Sequence, residues 1–234
     1  MEYQFGDFLF KPEIRKAKDL IPVLAYPEKL ERDFDAYYMF RDVYESQEDR
    51  EKILKHGLRY DLTIIPPASI GEERIKTYGH YHPENSQGMT YPEIYQVIDG
   101  EAFFILQKRE SGKISDCIVV KAKKNDLVIV PPNYGHVTIN PTERVLITSN
   151  WVSRDFCSIY EPYTNLRGAC YYYIDGKWVR NPMYPEAPKM RFSEPDGSME
   201  EEMYYLLHEI EILEFLKKPE KYFEAAELIK KFKK

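Results

Sequence analysis

The hydrophobic pattern changes character twice along the chain. From residue 58 to about 175 it consists of short runs rich in Val, Ile, Tyr and Thr: LRYDLTIIPP, IYQVIDGEAFFILQK, SDCIVVKAK, DLVIVPP, HVTIN and RVLITSNWV. Such residues suit a pleated, half-buried surface. Pro-Pro, Asp-Gly, Ser-Gly and Asn-Pro pairs punctuate the runs, and these end strands or turn them. ESGK (110–113) predicts a hairpin turn, and IDGE (98–101) a tight turn between two strands. Many short strands with no helices between them predict a mainly β domain, an antiparallel sandwich or barrel.

The flanks read differently. SQEDREKILKHG (46–57) predicts a short helix with Ser46 as N-cap, acids in its first turn and Gly57 as terminator. Ahead of it, QFGDFLF and AYYMF suggest edge strands or strand extensions. Near residue 198 the period becomes helical, with Met203, Leu206, Leu207, Ile210, Leu213 and Leu216 on one face and Ser198 as the expected cap. Pro219 opens a second helix, PEKYFEAAELIKKF, and KKFKK reads as its solvated end. The expected organisation is an extension over 1–57 packed on a barrel over 58–197, followed by C-terminal helices over 198–234.

Composition narrows the partners. The chain has 234 residues and a net charge of −6, which disfavours a nucleic-acid partner held by charge. No apolar run is long enough to span a membrane, and the N-terminus lacks a basic segment followed by an apolar one. A cytoplasmic protein with no membrane partner is expected. The three cysteines, Cys117, Cys157 and Cys170, show no CxxC spacing and read as buried small hydrophobes.

The candidate chemistry lies in YGHYHPENSQGMTYPEIY (78–95). His80 and His82 are two apart, so on a strand both project from one face with Cα atoms about 6–7 Å apart. Glu93 follows in another apolar segment, and His136 follows the turn PPNYG after DLVIV. Three imidazoles and a carboxylate make a plausible shell for one divalent transition metal, with iron, nickel, manganese and zinc all compatible. A lone His-x-His would be weak grounds for a site; its setting is what strengthens it. Gly79, His80, His82, Glu93 and Gly100 resemble the first motif of the cupin superfamily, and Pro131, His136 and Asn140 the second. Asn125 and Asn133 occupy two glycine positions of that second motif, where asparagine best tolerates a left-handed backbone. Ten residues separate His82 from Glu93, more than is usual in cupins, so PENSQGMTYP is expected to form an elongated loop able to cover the site.

A closer resemblance covers roughly residues 60–150. Thr63, Pro66, Gly71, Glu72, Thr77, Gly79, His80, His82, Glu93, Ile94, Tyr95 and Gly100 are similar to the signature of the cupin-type phosphoglucose isomerases of archaea. Pro67 and Ala102 replace two of that family's glycines. The resemblance implies a cupin barrel and a metal on His80, His82, Glu93 and His136. It also implies a sugar phosphate gripped partly by Thr63, Thr77 and the Gly79 backbone, with Tyr95 beside the metal. Glu93 and Tyr95 would be catalytic, in a metal-dependent aldose–ketose isomerisation of glucose 6-phosphate and fructose 6-phosphate. A homodimer is implied as well. Two alternatives use the same residues: a non-haem metal dioxygenase, and a non-catalytic cupin that binds a sugar or other metabolite. The family's Tyr and His beyond the second motif have no match, since Trp151 stands near the tyrosine's place and no histidine lies between His136 and His208. Tyr160, Tyr163 and Arg154 are the candidates to stand in. Arg74, Lys76 and Lys121 read as exposed strand charges.

Overall fold

A computed structural model describes residues 1–230; the last four residues of the expected basic terminus KKFKK lie outside the described residues. The strands form a barrel-like sandwich. One sheet has seven strands in the order Gly197–Ser198, Asp126–Val130, Glu93–Asp99, Leu146–Ser153, Leu58–Ile65, Asp35–Phe40 and Glu13–Lys16, every pairing antiparallel. The facing sheet places Tyr134–Ile139, Glu101–Glu110 and Lys113–Lys123 side by side, again antiparallel. Its last strand, Arg191–Ser193, adds on in parallel. Segment 76–82 runs along the open side of Tyr134–Ile139, through bridges Lys76–Ile139 and His80–His136. The mainly β antiparallel architecture with a helical C-terminus is thus present.

Local signals placed the turns. Ser46 accepts a hydrogen bond from the Asp49 amide at 3.1 Å and caps the helix Gln47–Lys55. Ser111 and Gly112, and likewise Asp175 and Gly176, have positive φ in two-residue hairpin loops, the conformation a tight hairpin demands. Asn125 and Asn133 also have positive φ, at +75° and +71°.

The seven-stranded sheet is covered on both sides, so its strands serve two cores. Tyr60, Leu62, Ile94, Leu127, Ile129 and Trp151 face outward into one apolar cluster. Ile65, Tyr95, Val97, Val128 and Val130 face inward into another, shared with the facing sheet. The C-terminal tail covers the outer side. Met203, Leu206, Leu207, Ile210, Leu213 and Leu216 are all buried there. Its form differs from the expected α-helix: Met203–Leu216 is 3-10 helical, with a kink at Glu209. The physical reason is legible in hindsight. Leu207, Ile210, Leu213 and Leu216 recur every third residue, the period of a 3-10 helix, with Phe215 buried beside the last of them. Ser198 does not cap it, because Gly197–Ser198 pairs with Asp126–Leu127 as a short strand. The helix Tyr222–Ile229 follows a 3-10 turn at Pro219–Lys221. No helix among the described residues is long and apolar enough to cross a membrane.

Two further expectations change. Cys117 and Cys170 are buried, their sulfurs 3.2 Å apart, but Cys157 is exposed. Lys76 is not an exposed charge: it is 5% exposed, pairs with buried Glu73, and sits over the Tyr172 ring. Hydrogen-bonded pairing is what lets a buried ammonium survive.

Since Leu213 is fully buried beneath the sheet, Leu213→Ala is expected to lower stability by about 2–5 kcal/mol. Urea unfolding followed by tryptophan fluorescence would measure it; a loss well under 1 kcal/mol would mean the tail does not seal the outer core.

Candidate metal centre

The inward faces of three adjacent strands line up polar side chains at one end of the barrel. On Glu93–Asp99 these are Glu93 and Tyr95; on Leu146–Ser153, Asn150; on Leu58–Ile65, Arg59, Asp61 and Thr63. Cross-strand register puts Asn150 opposite both Tyr95 and Asp61. The facing sheet contributes His136. His80 joins it because the two residues exchange both backbone hydrogen bonds, His80 N to His136 O at 3.3 Å and His136 N to His80 O at 3.0 Å. Next along, Tyr81 exchanges both bonds with Ile159. This extended segment turns His80 and His82 to one side and Tyr81 to the other, where its hydroxyl accepts from Gln107 at 2.8 Å.

Four side chains therefore meet. One ligand atom from each of His80, His82, Glu93 and His136 lies within 4.8 Å of the others. The Nε2 atoms of His80 and His82 are 3.1 Å apart, and Glu93 Oε2 is 3.3 Å from Nε2 of both His82 and His136. Separations near 3 Å are what adjacent ligands at about 2.1 Å from one ion would show. The surroundings aim these atoms inward. His82 Nδ1 is 2.7 Å from the Tyr91 carbonyl, so Nδ1 carries the proton and Nε2 presents its lone pair. Asn150 donates to Glu93 Oε1 at 2.7 Å, while among the described residues Oε2 is buried without a hydrogen-bond donor. A buried carboxylate oxygen left unpaired among imidazoles costs free energy. A cation would remove that cost, so the donor set fits a divalent metal.

The electrostatics agree. Burial lowers His80 well below the usual imidazole value, and His136 and His82 push it the same way. Burial also lowers His136, to about 4, against the opposing pull of Glu93. Burial alone would raise Glu93, but His82 and His136 outweigh it and leave the carboxyl below its usual value. Tyr95 is held well above its usual value by burial first and Glu93 second. The result is two neutral imidazoles, an ionised carboxylate and a neutral phenol.

The cluster opens into a cavity of about 360 Å3, in the ~300–1,000 Å3 range of small-molecule sites. Thr63, Thr77, Gly79 and Tyr95 all line it. Thr77 Oγ1 accepts from the Thr138 amide at 2.9 Å, leaving its own proton to donate elsewhere. Gly79 has φ +84°, and a Cβ there would fall 2.6 Å from Val137 and 2.7 Å from Tyr163, so no other residue fits.

Of the three proposed stand-ins, Tyr160 lines the cavity and its ring lies 5.5 Å from that of His80. Tyr163 is fully buried, and Arg154 is held by Asp42 and the Leu58 carbonyl. Trp151 faces outward and donates to the Met203 carbonyl at 2.9 Å. The elongated loop supplies none of the described residues lining the cavity. Instead Thr90 and Asn133 exchange hydrogen bonds, which anchors the loop and sets the Tyr91 carbonyl that fixes His82. Sequence reasoning missed Arg41, Arg59 and Asn150. Alternation along LRYDLT could have flagged Arg59, since it shares a face with Thr63.

A model of the family described as Glucose-6-phosphate isomerase (GPI) matches residues 14–189. Among curated proteins, the glucose-6-phosphate isomerase of Thermococcus onnurineus is 30% identical over 142 residues, covering 58% of this chain and 67% of its own. That of Thermococcus gammatolerans is 30% identical over 131 residues, covering 54% and 61%. The chain thus spans about two thirds or less of these relatives. Among solved structures, an oxalate decarboxylase variant of Bacillus subtilis aligns over 53% of this chain and 28% of its own, at 14% identity and a TM-score of 0.39.

The histidine environment predicts a pH effect on chelator-treated protein. Unfolded imidazoles titrate near their usual value, about 6.5, while His136 folds with a value of about 4. Below pH 6.5 the unfolded state therefore takes up protons that the folded state refuses. Stability should fall as pH drops from 6.5 toward 4, by up to about 1.4 kcal/mol per pH unit for each such histidine. Urea midpoints at pH 7 and pH 5 test this, and His136→Gln should flatten the difference. Equal midpoints for the unmodified chain would mean its imidazoles charge freely in the fold.

Proposed function

The chain belongs to the cupin-type glucose-6-phosphate isomerase family, and from that membership we propose that it interconverts glucose 6-phosphate and fructose 6-phosphate in this cavity. The observation that carries the reading is the convergence of three imidazoles and one carboxylate in the space that Thr63, Thr77 and Gly79 also line. We assign His80, His82, Glu93 and His136 to one divalent transition metal. When bound, such a cation supplies a Lewis acid that polarises the oxygens on the first two sugar carbons.

The remaining work falls to the chain's own groups. Moving a proton between adjacent carbons through an enediol needs a base that is ionised at neutral pH and correctly aimed. Glu93 meets both conditions: its carboxyl is held below the usual value, and Asn150 pins Oε1, leaving Oε2 directed into the cluster. Tyr95, kept protonated by burial, can donate to a substrate oxygen as negative charge develops. The hydroxyls of Thr63 and Thr77 and the Gly79 N–H are donors suited to an oxyanion. Tyr160 at the mouth can pack on the sugar.

Chelated protein should be inactive, and reloading with single metals should restore isomerisation of glucose 6-phosphate. A product assay across a panel of sugar phosphates, run beside an oxygen electrode, is decisive. Oxygen consumption would transfer the site to dioxygenase chemistry, and tight sugar-phosphate binding without turnover would make it a binding module. Glu93→Gln should lower kcat by at least about a hundredfold. Metal content measured on the same sample separates a lost ligand from a lost base; undiminished activity removes Glu93 from that role.

A further inference from the structure

Two arginines that the proposed mechanism does not use share the cavity. Tyr37, Met39 and Arg41 follow one another at two-residue steps along the inward face of Asp35–Phe40 and its exit, and Arg59 lies on the neighbouring strand. Between the arginines sits Asp61, fully buried. Arg41 Nη1 donates to Asp61 Oδ2 at 2.8 Å, and Arg59 Nε donates to both carboxylate oxygens at 2.9 Å. The Asp42 amide completes the set, donating to Oδ1 at 2.9 Å.

One carboxylate thus faces two guanidinium groups, and the unit keeps a net positive charge. Other acids nearby do not cancel it equally. Asp42 is engaged by Arg154, while Glu13 lies on the exposed rim of the same cavity. Arg59 commits only Nε to Asp61, and among the described residues its two terminal amino groups have no hydrogen-bond partner. The Arg41 and Arg59 side chains are 32% and 30% exposed and both line the cavity, though Arg41 Nη2 is also directed at Met39 Sδ at 3.1 Å. A guanidinium with a free planar fork is well matched to phosphate oxygens.

We propose that Arg41 and Arg59, fixed in place by Asp61, form the anion clamp that selects a phosphorylated over an unphosphorylated sugar. This rests on the reading of the cavity as a sugar-phosphate site and names the groups that supply its charge. Asp61 is a positioning residue: it holds the two forks so that little side-chain freedom is lost on binding. Thr63 and Thr77 then orient an anion that the arginines hold.

The test uses metal-loaded protein with three probes: glucose 6-phosphate, glucose, and inorganic phosphate titrated by calorimetry. Arg59→Gln should raise KM for glucose 6-phosphate at least about tenfold, the loss of charged hydrogen bonds, and weaken inorganic phosphate similarly. Its kcat at saturation should change less than about threefold, and binding of glucose should not change. Arg59→Lys, which keeps charge but not the fork, should fall between the two. Arg41→Gln should act in the same direction. Equal losses for glucose and glucose 6-phosphate, or an unchanged KM with unaltered phosphate binding, overturn the clamp. Should the unsubstituted protein isomerise no sugar phosphate yet bind inorganic phosphate through Arg59, the isomerase reading falls and the clamp stands. If the glutamine variant is unstable by thermal unfolding, the lysine variant's phosphate affinity decides alone; affinity equal to the unsubstituted protein counts against the proposal.

Discussion

The candidate centre depends on one backbone pairing, the double hydrogen bond between His80 and His136. These residues are far apart in sequence, and their segments join only along the open side of a sheet. Once that pair forms, strand alternation fixes His82 on the same side as His80. The adjacent exchange between Tyr81 and Ile159 prevents the segment from slipping by one residue. A slip would send both imidazoles into the apolar interior and Tyr81 into the cavity. The positions of the candidate ligands His80, His82 and His136 are thus set by main-chain geometry.

Glu93 completes the centre from the opposite sheet, and its protonation follows from the same arrangement. A carboxylate this deeply buried would ordinarily hold its proton. His82 and His136 offset the burial penalty and hold the carboxyl below its usual value, while the Asn150 amide donates to Oε1. One side chain therefore carries the charge a cation needs, and the proposed coordination and the proposed proton transfer both fall on Glu93.

How much of this was legible in the sequence differs by residue. His80, His82, Glu93 and His136 carry motif spacing, and spacing survives translation into strands. Asn125 and Asn133 could be read as left-handed positions because few other side chains tolerate that conformation. The elongated loop was legible in length but not in use: it braces His82 from behind through Tyr91. The tail's 3-10 form was hidden because positions spaced by three and by four overlap over short stretches. Arg41, Arg59 and Asp61 were invisible as a unit, since charges on separate strands meet only once register is known. Lys76 reads as exposed in sequence for the same reason, its partners Glu73 and Tyr172 being brought to it by a turn and a hairpin.

Gln96 gives the outer layer a meaning beyond insulation. It sits one position past Tyr95 and points the other way, and its amide clasps the tail through the carbonyls of Met199 and Glu201 and the amide of Met203. The strand that presents Glu93 and Tyr95 to the cavity is therefore buttoned from behind by a segment more than a hundred residues downstream. A polypeptide emerging from the ribosome would lack that fastening until more than a hundred further residues had been made, so this face of the strand is secured late in synthesis.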